Sequence, residues 1–277
     1  WIHKQERFTL NVNYFHVVFT IPNELNVLCL MDPKFMYRAL FTVSAETIKE
    51  LSKDKKYLGA KIGFTSVLHT WGQNLSLHPH IHMIVPGGGI DSNGKWKSSK
   101  KKFFLPVKVV SKLFKGKFLS YTKKNFDQRK IKDEEQFQNI IDACYSKNWV
   151  VYTKKPMKSA KHVVKYLGRY THRIAISNAR IKKYEDNKVT FSYKDYSDHN
   201  KIKEMTLEDT EFFRRYMMHV LPSNFMKIRH YGFLGNRNKE ERIQAIRTAT
   251  NTKDPGPFLI DYEQIISDIL KRDVSIC

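Results

Sequence analysis

The sequence predicts an α+β domain built on an antiparallel sheet with helices packed on it. Segments 14–21, 62–71 and 80–85 are short, apolar and alternating, the pattern of strands. The link 72–79 between the last two is short enough for an antiparallel hairpin. Helical and strand-like segments interleave, yet the strands are hairpin-linked, which favours α+β over a parallel α/β sheet.

The first strand, 14–21, is rich in Val and Phe and ends at Pro22. Residues 32–51 carry Phe35, Leu40, Val43, Ile48 and Leu51 at helical spacing; Asp32 can cap this helix, with Pro33 in its first turn. Strand 62–71 follows, then 80–85 as the central strand, and Gly87, Gly88 and Gly89 are expected to end the hairpin in a flexible turn. Residues 95–147 are lysine-rich and mixed in pattern, and read as an insertion on the core. A short strand at 149–152 precedes a helix over 159–172. Segments 174–182 and 188–193 form an expected hairpin turning at Glu185, Asp186 and Asn187, and a helix over 207–220 stops before Pro222. The remainder is a basic, helical tail broken at 254–257. Two units are expected, 1–200 with the sheet and the insertion, and 201–277 as a basic helical C-terminal region; no internal repeat is visible.

Charge narrows the function. The 277 residues include 49 Lys plus Arg against 27 Asp plus Glu, a net charge of +22. Such an excess is self-repelling unless a polyanion neutralises it, and a nucleic-acid backbone is the commonest such partner. Hydrophobic residues at 41% and aromatic residues at 13% indicate a folded chain. No apolar run approaches the roughly 20 residues that span a bilayer, and no basic-then-apolar leader is seen, so a cytoplasmic location is expected. The chain starts at Trp1, as a trimmed chain would. Cys29, Cys144 and Cys277 are odd in number and widely spaced, which argues against a disulfide framework or a self-contained zinc finger.

The densest chemistry lies in His78-Pro79-His80-Ile81-His82-Met83-Ile84-Val85. Side chains alternate along a strand, so Ile81, Met83 and Val85 enter the core while His80 and His82 share the other face. Two neutral imidazoles held by a rigid strand suit a metal ion. His69, across the hairpin, is the leading third ligand; His78 and Gln73 are alternatives. A surface strand with adventitious histidines is the plain alternative, and paired histidines with a third across the hairpin weigh against it. No H-E-x-x-H helix accompanies them, so an ordinary zinc hydrolase is disfavoured.

In the helix 159–172, residues four apart form rows. His162, Tyr166 and Tyr170 make one row; Lys165, Arg169 and Arg173 make its neighbour. Gly168 costs about 1 kcal/mol there relative to alanine, which fits a need for close approach. Two half-buried core tyrosines are the plain alternative.

These blocks occur together with Tyr166-Leu167-Gly168-Arg169-Tyr170-Thr171-His172-Arg173, with Leu221-Pro222 through Ile228-Arg229-His230-Tyr231-Gly232-Phe233-Leu234, and with Tyr14-Phe15-His16-Val17-Val18-Phe19-Thr20. In that ordered combination, over most of its length, the chain resembles the bacterial two-tyrosine rolling-circle transposases of the HUH endonuclease superfamily, which mobilise insertion sequences lacking terminal inverted repeats. The resemblance implies that residues 1–200 form the endonuclease domain. It also implies that His80 and His82, with His69, hold Mg²⁺ or Mn²⁺, and that Tyr166 and Tyr170 are the nucleophiles forming a 5′-phosphotyrosine. Single-stranded DNA at transposon ends and target is then the partner, contacted by His162, Lys165, Arg169 and Arg173, and a nucleoid-associated location follows. The cysteine-rich zinc module that such proteins carry ahead of the first strand is not visible here. A replication initiator or relaxase with the same chemistry, a non-catalytic DNA-binding regulator and an RNA-binding protein are the alternatives.

Overall fold

A computed structural model of the chain describes residues 5–100, 104–131, 133–157 and 175–254, with 168, 256 and 266–267 as isolated positions. Its centre is a five-stranded sheet made of β1 (Tyr14–Thr20), β2 (Phe64–Trp71), β3 (Leu77–Pro86), β6 (Val151–Met157) and β10 (Ile228–Tyr231). Their order is β10-β2-β3-β1-β6, and every neighbouring pair is antiparallel, so the His-hydrophobic-His strand β3 is central as expected.

Register sorts the side chains onto two faces. Phe15, Val17 and Phe19 stand opposite Val85, Met83 and Ile81, and Leu68 stands opposite Ile81 on the other flank. This face packs into one buried cluster with α2 (Pro33–Lys53) through Met36, Leu40, Phe41 and Val43. The sequence accounts for the start of α2: Asp32 accepts from the Phe35 backbone N–H and Pro33 occupies the first turn. The short helix α1 (Asn26–Met31) leads into it.

The lysine-rich stretch supplies further cover. It folds as α3 (Val107–Asn125) and α4 (Glu134–Ser146). Val110, Phe114 and Phe118 recur four apart and enter the same core, while Lys108, Lys112, Lys123 and Lys124 face solvent. The segment read as an insertion is therefore part of the main core.

Several boundaries move for identifiable reasons. β3 begins at Leu77, so Pro79 lies inside it; the ladder register shifts between His69 and Trp71, and a proline with no N–H to donate fits such an irregularity. The hairpin loop is then shorter than 72–79. The glycines after β3 are not a flexible turn: β4 (Gly88–Ile90) pairs with β5 (Trp96–Ser98). A Cβ on Gly88 would sit 2.3 Å from the Trp96 ring, so glycine lets the indole cross the backbone. The strand expected at 149–152 starts two residues later, at Val151.

A second sheet holds β7 (Ile181–Glu185), β8 (Lys188–Asp195) and β9 (Lys201–Glu208). The turn between β7 and β8 falls on Asp186 and Asn187, both at positive φ (48° and 58°), as two-residue hairpins require. β9 was not expected; the helix placed at 207–220 begins only at Asp209, as α5 (Asp209–Met217). β10 was not expected either, and joins the main sheet beside β2. Helix α6 (Lys239–Thr250) follows, and no helix among the described residues is long and apolar enough to cross a membrane.

Phe114 tests the placement of α3. It is fully buried between Phe19 and Trp149 (ring centroids 4.9 and 5.3 Å). Phe114→Ala is expected to lower unfolding free energy by about 3–5 kcal/mol in urea denaturation. A loss under about 1 kcal/mol, the range of exposed positions, would contradict a core role.

Candidate metal centre

The second face of the sheet carries the histidines, next to a small apolar cluster of Tyr14, Val67 and Ile84. The β2–β3 register sets His69 directly opposite His80, and alternation brings His82 to the same face one row along. One ring nitrogen from each of the three lies within 4.8 Å of the other two, so the cluster could hold a metal ion. His69 is thus the third member of the cluster. His78 and Gln73 line the same cleft, and His78 does not belong to this group.

Ring orientation follows from the hydrogen bonds. His80 Nδ1 lies 2.6 Å from the His78 carbonyl, which can only accept, so Nδ1 carries the proton and Nε2 presents a lone pair. That Nε2 is 3.0 Å from Nε2 of His82. With its proton on Nε2, His82 donates to this lone pair, and a cation bound between the rings would displace that proton. Burial pushes His80 down to about 4 from its usual 6.5, so its ring is neutral at neutral pH and able to bind a cation.

A fourth histidine completes the cluster and was not singled out from the sequence. His16 of β1 is buried, its Nε2 lies 2.8 Å from His82 Nδ1, and the two rings stack at 5.0 Å and 13°. The signal was present: alternation along 14–20 places His16 on the histidine face, opposite Ile84 of β3. A partner on the far nitrogen of a ligating imidazole sets its tautomer and direction.

A cleft of about 470 Å³ opens over His69, His78, His80 and His82. Its second wall is the end of β8 and the turn after it, Tyr193 to Ser197. The hairpin tip between β2 and β3 ties the two walls together. Leu75 is buried with Phe191 and Phe212 of the second sheet and α5. The carbonyl of Gln73 accepts from Arg180, that of Asn74 from Arg215 (3.3 Å), and that of Leu75 is 3.1 Å from His219 Nε2. His219 also meets the Thr70 hydroxyl at 3.3 Å.

Tyr166, Tyr170, His162, Lys165, Arg169 and Arg173 lie outside the described residues. Within that stretch Gly168 alone is described, as a buried helical residue.

Comparison with known proteins shows the family to which the chain is similar. A family model described as "Putative transposase" matches residues 63–242, which include the His69/His80/His82 cluster. The chain is 41% identical over 267 residues to "Putative transposase y4qJ" of Sinorhizobium fredii, covering 93% of this chain and 67% of that protein. It is 29% identical over 262 residues to the "Transposase for insertion sequence element IS801" of Pseudomonas savastanoi pv. phaseolicola, covering 93% of this chain and 63% of that one. The chain therefore spans about two thirds of the length of these curated relatives. No solved structure matches it.

Two outcomes follow from the geometry. Mn²⁺ titration of His16→Ala should show affinity about 10- to 100-fold weaker than the unmutated chain; equal affinity would remove His16 from the centre. Acid should destabilise the metal-free fold. Burial holds both His80 and His230 near 4 in the folded chain against 6.5 when free. Between those values the unfolded state binds protons that the native state does not, so stability falls as pH drops through the window. The urea midpoint should decline from pH 6.5 towards 4, less steeply in His230→Asn, and a flat profile would contradict neutral buried rings.

Proposed function

This chain belongs to the putative transposase family that matches it, and on that premise we propose that it cuts and rejoins single-stranded DNA through a tyrosine-linked intermediate. The observation that carries the reading is the His69/His80/His82 cluster at the floor of a cleft on the central strand. Three neutral imidazoles favour a first-row transition ion over Mg²⁺, which prefers oxygen ligands; Mn²⁺ is therefore the better candidate of the two. Bound there, such an ion would neutralise charge on the non-bridging oxygens of a scissile phosphate.

The protein's own residues supply the remaining steps. Tyr166 or Tyr170 attacks phosphorus through its phenolic oxygen. The new P–O bond to tyrosine forms as the bond to the 3′-oxygen breaks; the phenol gives up its proton and the 3′-oxygen takes one up. A phenol has a pKa near 10, so it leaves readily in the reverse reaction, and rejoining needs no ATP because one phosphoester replaces another. A pair of tyrosines four residues apart in a helix lies in one row, so one can hold a strand while the other cuts. His162, Lys165, Arg169 and Arg173 would position phosphates and confer salt-sensitive binding.

The test is incubation with labelled single-stranded DNA and Mn²⁺, scored for a covalent species that survives denaturant. Tyr166→Phe with Tyr170→Phe should abolish the adduct and leave DNA affinity within about twofold, since two hydroxyls contribute little to backbone binding. His80→Ala with His82→Ala should abolish it as well. An adduct persisting in the double phenylalanine variant would refute the tyrosine assignment, and nicking without strand transfer would point to an initiator or relaxase.

A further inference from the structure

The cleft has a second wall whose role the histidines leave open. The exposed tyrosines 145, 152, 184 and 196 share ample solvent contact, yet of the four Tyr196 alone lines the histidine cleft. Its side chain is 67% exposed, so the ring stands at the rim and does not serve the core. Lys194 is exposed beside it, with its ammonium 5.8 Å from the Tyr196 ring centre, and it forms no ion pair among the described residues.

The neighbouring groups are already committed to holding this wall in place. Asp195 accepts from the Ser197 backbone N–H (2.9 Å) and hydroxyl (2.6 Å) and pairs with Lys203 (2.9 Å), so its carboxylate shapes the turn. Tyr193 packs against the cluster that buries Leu75. Arg180 donates to the Ser192 carbonyl at 2.7 Å and also to the Gln73 carbonyl, locking β8 to the hairpin that carries the histidines. An aromatic face and a cation are thereby fixed across a cleft from the candidate metal centre. An aromatic ring next to a free cation is what single-stranded nucleic acid uses: stacking for a base, and charge for the phosphate beside it.

We propose that Tyr196 is the stacking platform for a base flanking the phosphate that enters the histidine cleft, with Lys194 contacting a neighbouring phosphate. This subsite rests on the single-stranded DNA reading above and extends it to the accessory sheet.

Fluorescence anisotropy in EDTA, with a labelled mixed-sequence single-stranded oligonucleotide and an abasic copy of it, separates stacking from charge. Tyr196→Ala should bind the normal strand about 5- to 100-fold more weakly and the abasic strand as the unmutated chain does. Tyr196→Phe, which keeps the ring, should bind both normally. Lys194→Ala should weaken both strands alike and reduce the salt slope by about 0.7. Unchanged affinity in Tyr196→Ala, or equal loss on both strands, would overturn the subsite while leaving the adduct chemistry standing. If the unmutated chain bound neither strand, the DNA reading and the subsite would fall together.

Discussion

The antiparallel register between β2 and β3 governs the rest of the molecule. Pairing His69 with His80 brings a ligand from each strand to one level, and the two-residue period delivers His82 to the same face. A slip of one residue would send His80 and His82 into the cluster of Phe19, Met83 and Leu68, and would expose Ile81 in their place. The apolar face therefore enforces the register, and the histidine-bearing face inherits it. Burial of Ile81 and Met83 in the main core holds the strand that carries the imidazoles.

That arrangement has a cost, and its offset can be traced. His16, His69 and His82 are packed out of water, where buried polar nitrogens without partners are expensive. The His80 bond to the His78 carbonyl and the His16 contact with His82 satisfy several of these nitrogens. The two Nε2 atoms of His80 and His82 meet at 3.0 Å over a single hydrogen, and a cation bound there would displace that proton.

Much of this was legible in the sequence, because its signals were local. Alternation around Ile81 and Met83, the Asp32-Pro33 helix start and the Asp186-Asn187 turn each need only a few neighbouring residues to be read. His16 went unremarked because its strand was read for its Val and Phe, although the same alternation marks it. Val110, Phe114 and Phe118 form a clear stripe that the surrounding lysines concealed. β9 and β10 were harder for a physical reason. The first has its weak alternation among charged residues, and the second is four residues long and exists only because β2 offers an open edge. The rows of Tyr166 and Lys165 remain a matter of sequence periodicity.

The charge of the ligands bears on how such a centre would treat a polyanion. Carboxylate ligands would cancel much of a divalent ion's charge, whereas three neutral imidazoles would leave it whole for the phosphate. The chain's net charge of +22 acts differently, since exposed lysines are screened beyond about 8–10 Å at physiological salt. Lysines on the outer surfaces of α3 and along the second sheet can draw DNA in, but at that range they cannot discriminate one phosphate from the next. On the proposed reading, selection of a single phosphodiester would come from short-range contacts in the cleft, and a base stacked on the aromatic rim opposite the histidines would set which phosphate meets the centre.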